Sequence, residues 1–277
     1  MKLVIGGRGR LGQALVRAWP AGDALCLDRA LYDGWAHAGA EQEVARFFAP
    51  WAGTASTVFV ASGLLDPKLA PDAHQKVNLD LPRNVIAGAA SLGLKVVTFG
   101  TVMESLLAQH NPYIQSKAAL GCHVAELAAA GQPVTHVRVH TLFGGGAPSP
   151  FMFLGQILTA LRRRTPFNMT LGNQLREYHH VDDEARAIRA LDAAGVSGVL
   201  DLSHGEPISL RELATTVFAA CGAADLLRLG ALAEPLEENY STVFTRHPLL
   251  GPQAYRPALP VIVDFLKACV AQPLPPE

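Results

Sequence analysis

The chain has 277 residues and a net charge of −1, with 49% apolar and 17% charged residues. That composition supports a sizeable buried core, excludes a disordered chain, and offers no overall field for nucleic acid or an anionic membrane. The length suits one large domain, or one domain with a small lobe attached.

Taken in chain order, short apolar runs predict strands at 2–5, 24–28, 57–61, 94–99, 134–140 and 199–203. They lack polar alternation, which is how strands buried on both faces read. Helical patterns at 11–19, 41–48, 74–91 and 113–130 lie between them, and Pro82 inside the third predicts a kink or break. The alternation implies an α/β fold: a doubly wound parallel sheet of the Rossmann type. Residues 144–150, Gly-Gly-Gly-Ala-Pro-Ser-Pro, form a turn-rich crossing point. Beyond it come a helix near 153–164, an extended piece near 169–171, a helix ending near 194, and helices near 209–221 and 260–270. The reading divides the chain into a core, 1–147 plus about 181–204, and a smaller, mostly helical lobe, 148–180 plus 205–277. That lobe would lie over the carboxyl ends of the strands, where open α/β sheets bind ligands.

Other features bound the chemistry. Cys26, Cys122, Cys221 and Cys269 are scattered without a C-x-x-C pair, so reduced, buried thiols are expected and no metal. His179 and His180 are adjacent and would point different ways on an extended segment, which favours packing or hydrogen-bonding residues over metal ligands. Arg162-Arg-Arg164 reads as a helix-end cluster. There is neither a signal-peptide pattern nor an apolar run of membrane-spanning length, which predicts a cytoplasmic protein. The tail Pro273-Leu-Pro-Pro predicts an unstructured end.

Gly6-Gly7-Arg8-Gly9-Arg10-Leu11-Gly12 follows the first strand and opens a helix. Gly6, Gly9 and Gly12 give G-x-x-G-x-x-G: a tight turn, a bare backbone that a pyrophosphate can approach, and a helix N-terminus facing the anion. Asp28 ends the second strand, where it would accept the ribose hydroxyls of an adenosine and favour NAD. Arg29, Arg8 or Arg10 could instead meet a 2′-phosphate, so NADP stays open. The plainer alternative is a turn-capping Asp28 among solvated arginines.

Asn111-Pro-Tyr113-Ile-Gln-Ser-Lys117 sets a phenol and an ammonium at i, i+4 on one helix face. A free phenol, with pKa near 10, is a poor base at neutral pH; a neighbouring ammonium favours the phenolate. Tyr113 could then exchange a proton with a carbonyl or hydroxyl oxygen while a hydride moves to or from a nicotinamide, and Lys117 could also hold the nicotinamide ribose.

Together these residues resemble the extended short-chain dehydrogenase/reductase group, the NAD(P)-dependent epimerase/dehydratase family acting on nucleotide sugars. The resemblance spans nearly the whole chain. It rests on Gly6–Gly12, Asp28, Lys76-Val-Asn78, 97–102, Tyr113 with Lys117, Arg138-Val-His-Thr-Leu-Phe-Gly144, and Arg176-Glu-Tyr-His-His-Val-Asp-Asp183. It implies that the core binds the dinucleotide and the lobe binds the substrate. It also implies that Arg176 contacts the substrate's diphosphate, against the alternative of a salt bridge to Asp182 or Asp183. The family's strand-end hydroxyl falls on Thr101, with Thr98 as the second choice; Thr141 stands at a substrate position where the family has Asn. Dehydratases of the family carry an Asp-Glu pair after the catalytic Thr, and here Val102 and Met103 follow, which disfavours dehydration. The leading expectation is reduction of a nucleotide-linked 4-keto sugar. An epimerase with tightly bound NAD and a non-catalytic dinucleotide sensor are the alternatives. A homodimer is the candidate assembly.

Overall fold

A computed structural model describes residues 1–108, 111–251 and 254–272. The Pro273–Pro276 tail lies outside the described residues. In chain order the elements are β1 (Lys2–Ile5), α1 (Arg10–Ala18), β2 (Ala24–Cys26), α2 (Glu41–Phe48), β3 (Thr57–Val60), α3 (Pro71–Gln75) and α4 (Leu81–Ala90). Next come β4 (Lys95–Thr101), α5 (Met103–Leu106), α6 (Pro112–Ala129), β5 (Val134–Val139), β6 (Thr141–Phe143), α7 (Phe153–Arg163), β7 (Phe167–Asn168), β8 (Leu175–Arg176) and β9 (Tyr178–His180). The chain closes with α8 (Val181–Ala193), β10 (Gly198–Leu202), β11 (Ile208–Ser209), α9 (Leu210–Ala220), β12 (Leu227–Arg228) and α10 (Ala258–Ala271).

Six strands pair in parallel in the order β10-β5-β4-β3-β1-β2. The period of two along each strand sorts the side chains onto two faces. Leu3, Ile5, Val58, Val60 and Val96 join one apolar cluster with Val44 and Phe48 of α2, Val85 of α4 and Leu120 of α6. Val4, Phe59, Val97, Phe99 and Val137 join a second with Leu15 of α1 and Ile188 of α8. Both faces are thus covered, as a parallel sheet requires. The strand order reverses between β1 and β3, and the crevice at their carboxyl ends is the switch point of a doubly wound sheet. A third cluster gathers Phe143, Leu154 and Ile157 of α7, Phe218 of α9 and Leu266 of α10. No described helix is long and apolar enough to cross a membrane.

The differences from the sequence reading are local. The predicted 74–91 helix is three pieces: α3, a wide π turn at Lys76–Asp80, and α4. The break precedes Pro82, which sits in the first turn of α4, where its missing N–H costs nothing. The second strand stops at Cys26, although the Leu27 amide still donates to the Val4 carbonyl (2.9 Å). The extended piece near 169–171 is instead β7 at Phe167–Asn168, which pairs with β12. All four cysteines are free, but Cys26 and Cys122 are exposed, not buried: Cys26 sits on an edge strand and Cys122 on the outer face of α6.

Candidate active site

The glycine turn joins β1 to α1. Gly6 has φ +81°, and a Cβ there would run into the backbone of Ala61 and Ser62 after β3, so only glycine fits. A Cβ on Gly12 would strike the Gly6 carbonyl. Gly9 is more open, since its Cβ would meet only the Gly6 oxygen, at 3.3 Å. Gly9 is the N-cap of α1, and no side chain among the described residues caps this end. The first-turn amides of Arg10, Leu11 and Gly12 therefore stand uncapped at the switch point, a cradle that suits a pyrophosphate. Tyr32, which the sequence reading missed, steadies the turn by accepting the Gly6 N–H (3.2 Å).

Asp28 accepts the Ala30 amide (3.0 Å) and pairs with Arg8 (3.0 Å) at the surface. The amide bond first, then Arg8, holds its carboxyl below the ordinary value. Arg29 pairs with Asp33 (3.1 Å), and Arg10 reaches the Ala147 carbonyl in the loop after β6. Arg8 is thus the arginine that stands at Asp28.

Helix α6 starts where Asn111 caps the Ile114 amide (3.0 Å) and Pro112 takes the first position. Lys117, one turn beyond Tyr113, is buried, and its ammonium donates to the Phe99 carbonyl of β4 (2.8 Å), its one hydrogen bond among the described residues. Burial draws its pKa down to about 8, against the opposing pull of the Glu104 carboxylate. Tyr113 is half-buried. Burial, reinforced by Glu104, raises its pKa, while a hydrogen bond with Thr101 works the other way. Thr101, Tyr113 and Lys117 form one constellation at the carboxyl end of β4. Thr98 does not join it. Lying inside β4, its hydroxyl donates to the Thr135 carbonyl (3.3 Å) and meets His136 Nδ1 (2.8 Å) in the interior.

Beneath the constellation lies Glu104, a second residue missed from sequence. Its buried carboxylate accepts the Thr101 amide (2.7 Å), faces His136 Nε2 (3.3 Å) and pairs with Arg138 (3.1 Å). Gly100 makes room for it, because a Cβ there would overlap both the carboxylate and the His136 ring. Burial alone would raise the pKa of Glu104, but His136, the Thr101 amide and Arg138 together lower it. Asn78, on the π turn, bonds the Leu64 amide (2.9 Å), the Leu64 carbonyl (3.0 Å) and the Ser116 hydroxyl (3.2 Å). It thereby ties the loop after β3 to α6 beside Lys117.

Arg176 of β8 donates to the Leu175 carbonyl (2.9 Å) and pairs with Glu238. Neither acid considered from sequence is its partner: Asp182 pairs with Arg17 (2.7 Å), and Asp183 with Arg186 and Arg256. Thr141 of β6 stands opposite Tyr178 of β9, and its amide donates to the Glu177 carbonyl (3.1 Å). His180 caps α8 through the Asp182 amide (3.2 Å). Arg162 serves a different helix end from its own, bonding the Cys269 carbonyl near the end of α10.

These residues fit a dinucleotide. The uncapped turn at Gly9 would hold the pyrophosphate, Asp28 or Arg8 the adenosine ribose, and Lys117, with donors to spare, the other ribose. The bound nicotinamide would supply hydride exchange.

Comparison with solved structures gives the same fold. The UDP-N-acetylglucosamine 4-epimerase from Methanobrevibacter ruminantium M1, in complex with UDP-N-acetylmuramic acid, is similar at TM-score 0.74 and 15% identity, over 97% of this chain and 96% of that one. The dTDP-4-dehydrorhamnose reductase from Bacillus anthracis str. Ames, in complex with NADP, is similar at TM-score 0.72 and 18% identity, over 96% and 98%. The UDP-glucose 4-epimerase from Thermus thermophilus, with NAD, is similar at 0.68 and 18%, over 96% and 99%. A search of the curated proteins finds no match. The family model of the NAD dependent epimerase/dehydratase family matches residues 2–199. With the uncapped glycine turn and the Thr101–Tyr113–Lys117 constellation in place, the chain belongs to the NAD-dependent epimerase/dehydratase family and is an NAD(P)-dependent enzyme of the short-chain dehydrogenase/reductase type.

Proposed function

We propose that the protein reduces a nucleotide-diphosphate-linked 4-keto sugar, with NAD or NADP as the exchangeable hydride carrier. The observation that carries this reading is the placement of the Tyr113 phenol at the carboxyl end of β4, with Lys117 one helical turn away and its ammonium on the Phe99 carbonyl. Burial, and then the Glu104 carboxylate, push the phenol pKa up, a direction that suits a proton donor to a carbonyl oxygen better than a base. Thr101, at the end of β4, would orient that oxygen, and the Lys117 ammonium would stabilise the phenolate left behind. Dehydration would need an acid free to act beside Thr101. Val102 and Met103 offer none, and Glu104 is held under the strand by His136 and Arg138. The lobe, 148–180 plus 205–277, would bind the nucleotide sugar, with Arg176 on the diphosphate and Thr141 near the sugar. Asp28 favours NAD, while Arg8 beside it keeps NADP open.

The test is the nucleotide content and redox activity of the purified protein. The expected result is a site that purifies largely empty and consumes added NADH or NADPH only when a nucleotide-linked 4-keto sugar is present. Stoichiometric nucleotide released on denaturation, with sugar interconversion and no net consumption, would overturn the reductase reading in favour of an epimerase.

A further inference from the structure

Three chain segments bring a second set of chemical groups together. His140 follows β5, Glu177 and His179 come from the β8–β9 stretch, and His204 follows β10. All four are buried. From a single carboxylate oxygen, Glu177 Oε2, the distances are 3.2 Å to His179 Nε2, 3.6 Å to His204 Nδ1 and 3.8 Å to His140 Nε2. A tetrahedral zinc shell with bonds of about 2.0–2.1 Å has edges of about 3.3 Å between its nitrogen and oxygen ligands. The ligand atoms of Glu177, His179 and His204 lie within 4.8 Å of one another.

A second observation points the same way. His140 Nε2 and His204 Nε2 are buried without a hydrogen-bond partner among the described residues, which is costly for a ring nitrogen away from water. The outer contacts also match those that orient metal-bound imidazoles. Glu184 takes His179 Nδ1 (2.7 Å), leaving Nε2 directed at Glu177, and the Tyr255 hydroxyl donates to Glu184 (3.0 Å). Ser203 donates to Glu177 (2.8 Å), and Phe244 closes edge-on over His140 with ring centroids 5.0 Å apart. His204 would have to turn its ring to bring the unpartnered Nε2 to the metal, because Nδ1, the atom 3.6 Å from Glu177, accepts the Glu206 amide (3.0 Å), while its backbone amide donates to Glu177 Oε2 (2.9 Å).

We propose that Glu177, His179 and His204, with His140 as fourth ligand, bind one divalent transition metal of the zinc class. With His140 Nε2 drawn in from 3.8 Å to close the shell, the metal would clip three segments together and leave no open position for substrate. Imidazole and carboxylate donors in a compact tetrahedral array suit zinc rather than magnesium or calcium, which take oxygen ligands.

The test uses the full-length protein, stripped with a chelator and reloaded with Zn²⁺ or Co²⁺. Elemental analysis is expected to find one metal per chain, Co²⁺ to give the visible absorption of a tetrahedral site, and Zn²⁺ to raise the Tm. His179 lies between two buried carboxylates, so its variants can fail to fold for other reasons. His140→Gln and His204→Gln, which remove the two nitrogens left unpartnered, are the better probes. Each is expected to weaken Co²⁺ binding at least tenfold, whereas His180→Gln leaves it unchanged. Absence of tetrahedral Co²⁺ absorption in the wild type, or equal metal binding by the His140→Gln/His204→Gln double variant, would overturn the proposal.

Discussion

At the scale of single residues, the site makes different demands on Thr101, Thr98, Tyr113 and Lys117. Tyr113→Phe removes the proposed proton donor with almost no change in volume. Turnover should drop by about a hundred- to ten-thousand-fold while the fold and dinucleotide affinity persist; near-normal steady-state turnover would exclude Tyr113 as the acid. Thr101→Val should slow turnover with little effect on Tm. Thr98→Val should do the reverse, since it orphans His136 Nδ1 in the interior at a cost of about 1–3 kcal/mol. Lys117 sets the pH dependence. Its ammonium is the form that stabilises a phenolate, and it titrates at about 8, so kcat/KM should fall on an alkaline limb near that pH. Glu104 supports the ammonium, so Glu104→Gln should move the limb to lower pH. A pH profile of the two enzymes reads this, and a limb that stays put would separate Glu104 from Lys117. The same shift has a sign for stability. The folded chain holds this proton more weakly than the unfolded one, so the Lys117 contribution to stability rises with pH between about 8 and the ordinary lysine value of 10.5. Tyr113 and Lys117 were legible in the sequence because an i, i+4 pair on a helix is a local fact. Glu104 and His136 were not, because 32 residues separate them and only the β4–β5 pairing brings them together.

At the scale of elements, the first βα turn separates binding from folding. A branched side chain at Gly9 would fill the space beyond the N-terminus of α1 while meeting little protein, so Gly9→Val should stay folded and lose dinucleotide binding. Gly12→Val should instead lose Tm, because the new Cβ strikes the Gly6 carbonyl. NADH fluorescence titration beside thermal unfolding distinguishes the two, and unchanged affinity in a folded Gly9→Val protein would remove the turn from the cofactor site. Asp28→Ala should weaken NAD more than NADP, because it deletes a ribose acceptor and releases Arg8 for a 2′-phosphate. Equal losses would show that Asp28 does not face the ribose. The sheet strands and long helices could be read in advance because burial on both faces writes itself into apolar runs and helical periodicity. The β6–β9, β8–β11 and β7–β12 ladders could not, because two or three residues carry no period and tertiary packing alone defines them. The π turn at Lys76–Asp80 escaped for a related reason. Pro82 announces a break without saying on which side of it the chain widens, and Asn78, bonded to Leu64 and Ser116, decides that.

At the scale of the whole molecule, the sheet core and the α7, α9 and α10 cluster are separate apolar clusters, and the proposed substrate position depends on what spans from β8 to the long segment before α10. That segment is strapped to β8 twice. The Leu175 amide donates to the Asn239 carbonyl (2.7 Å), and Arg176 pairs with Glu238. Glu238 also accepts the Asn239 amide (3.2 Å), so it caps its own loop while engaging the arginine. A substrate diphosphate would therefore compete with Glu238 for the same guanidinium, and the two variants should move KM in opposite directions. Arg176→Ala should raise the KM for a nucleotide-diphosphate sugar by about ten- to a hundredfold, the range for losing a hydrogen bond to a charged group, with dinucleotide affinity intact. Glu238→Gln keeps an acceptor for the Asn239 amide but removes the competing charge. It should lower KM on the order of twofold to fivefold, since a partly exposed ion pair is weak. Initial-rate measurements on both variants at saturating dinucleotide give the answer. If Glu238→Gln raises KM or leaves it unchanged while Arg176→Ala has no effect, Arg176 is a structural partner of Glu238 and the diphosphate is held elsewhere.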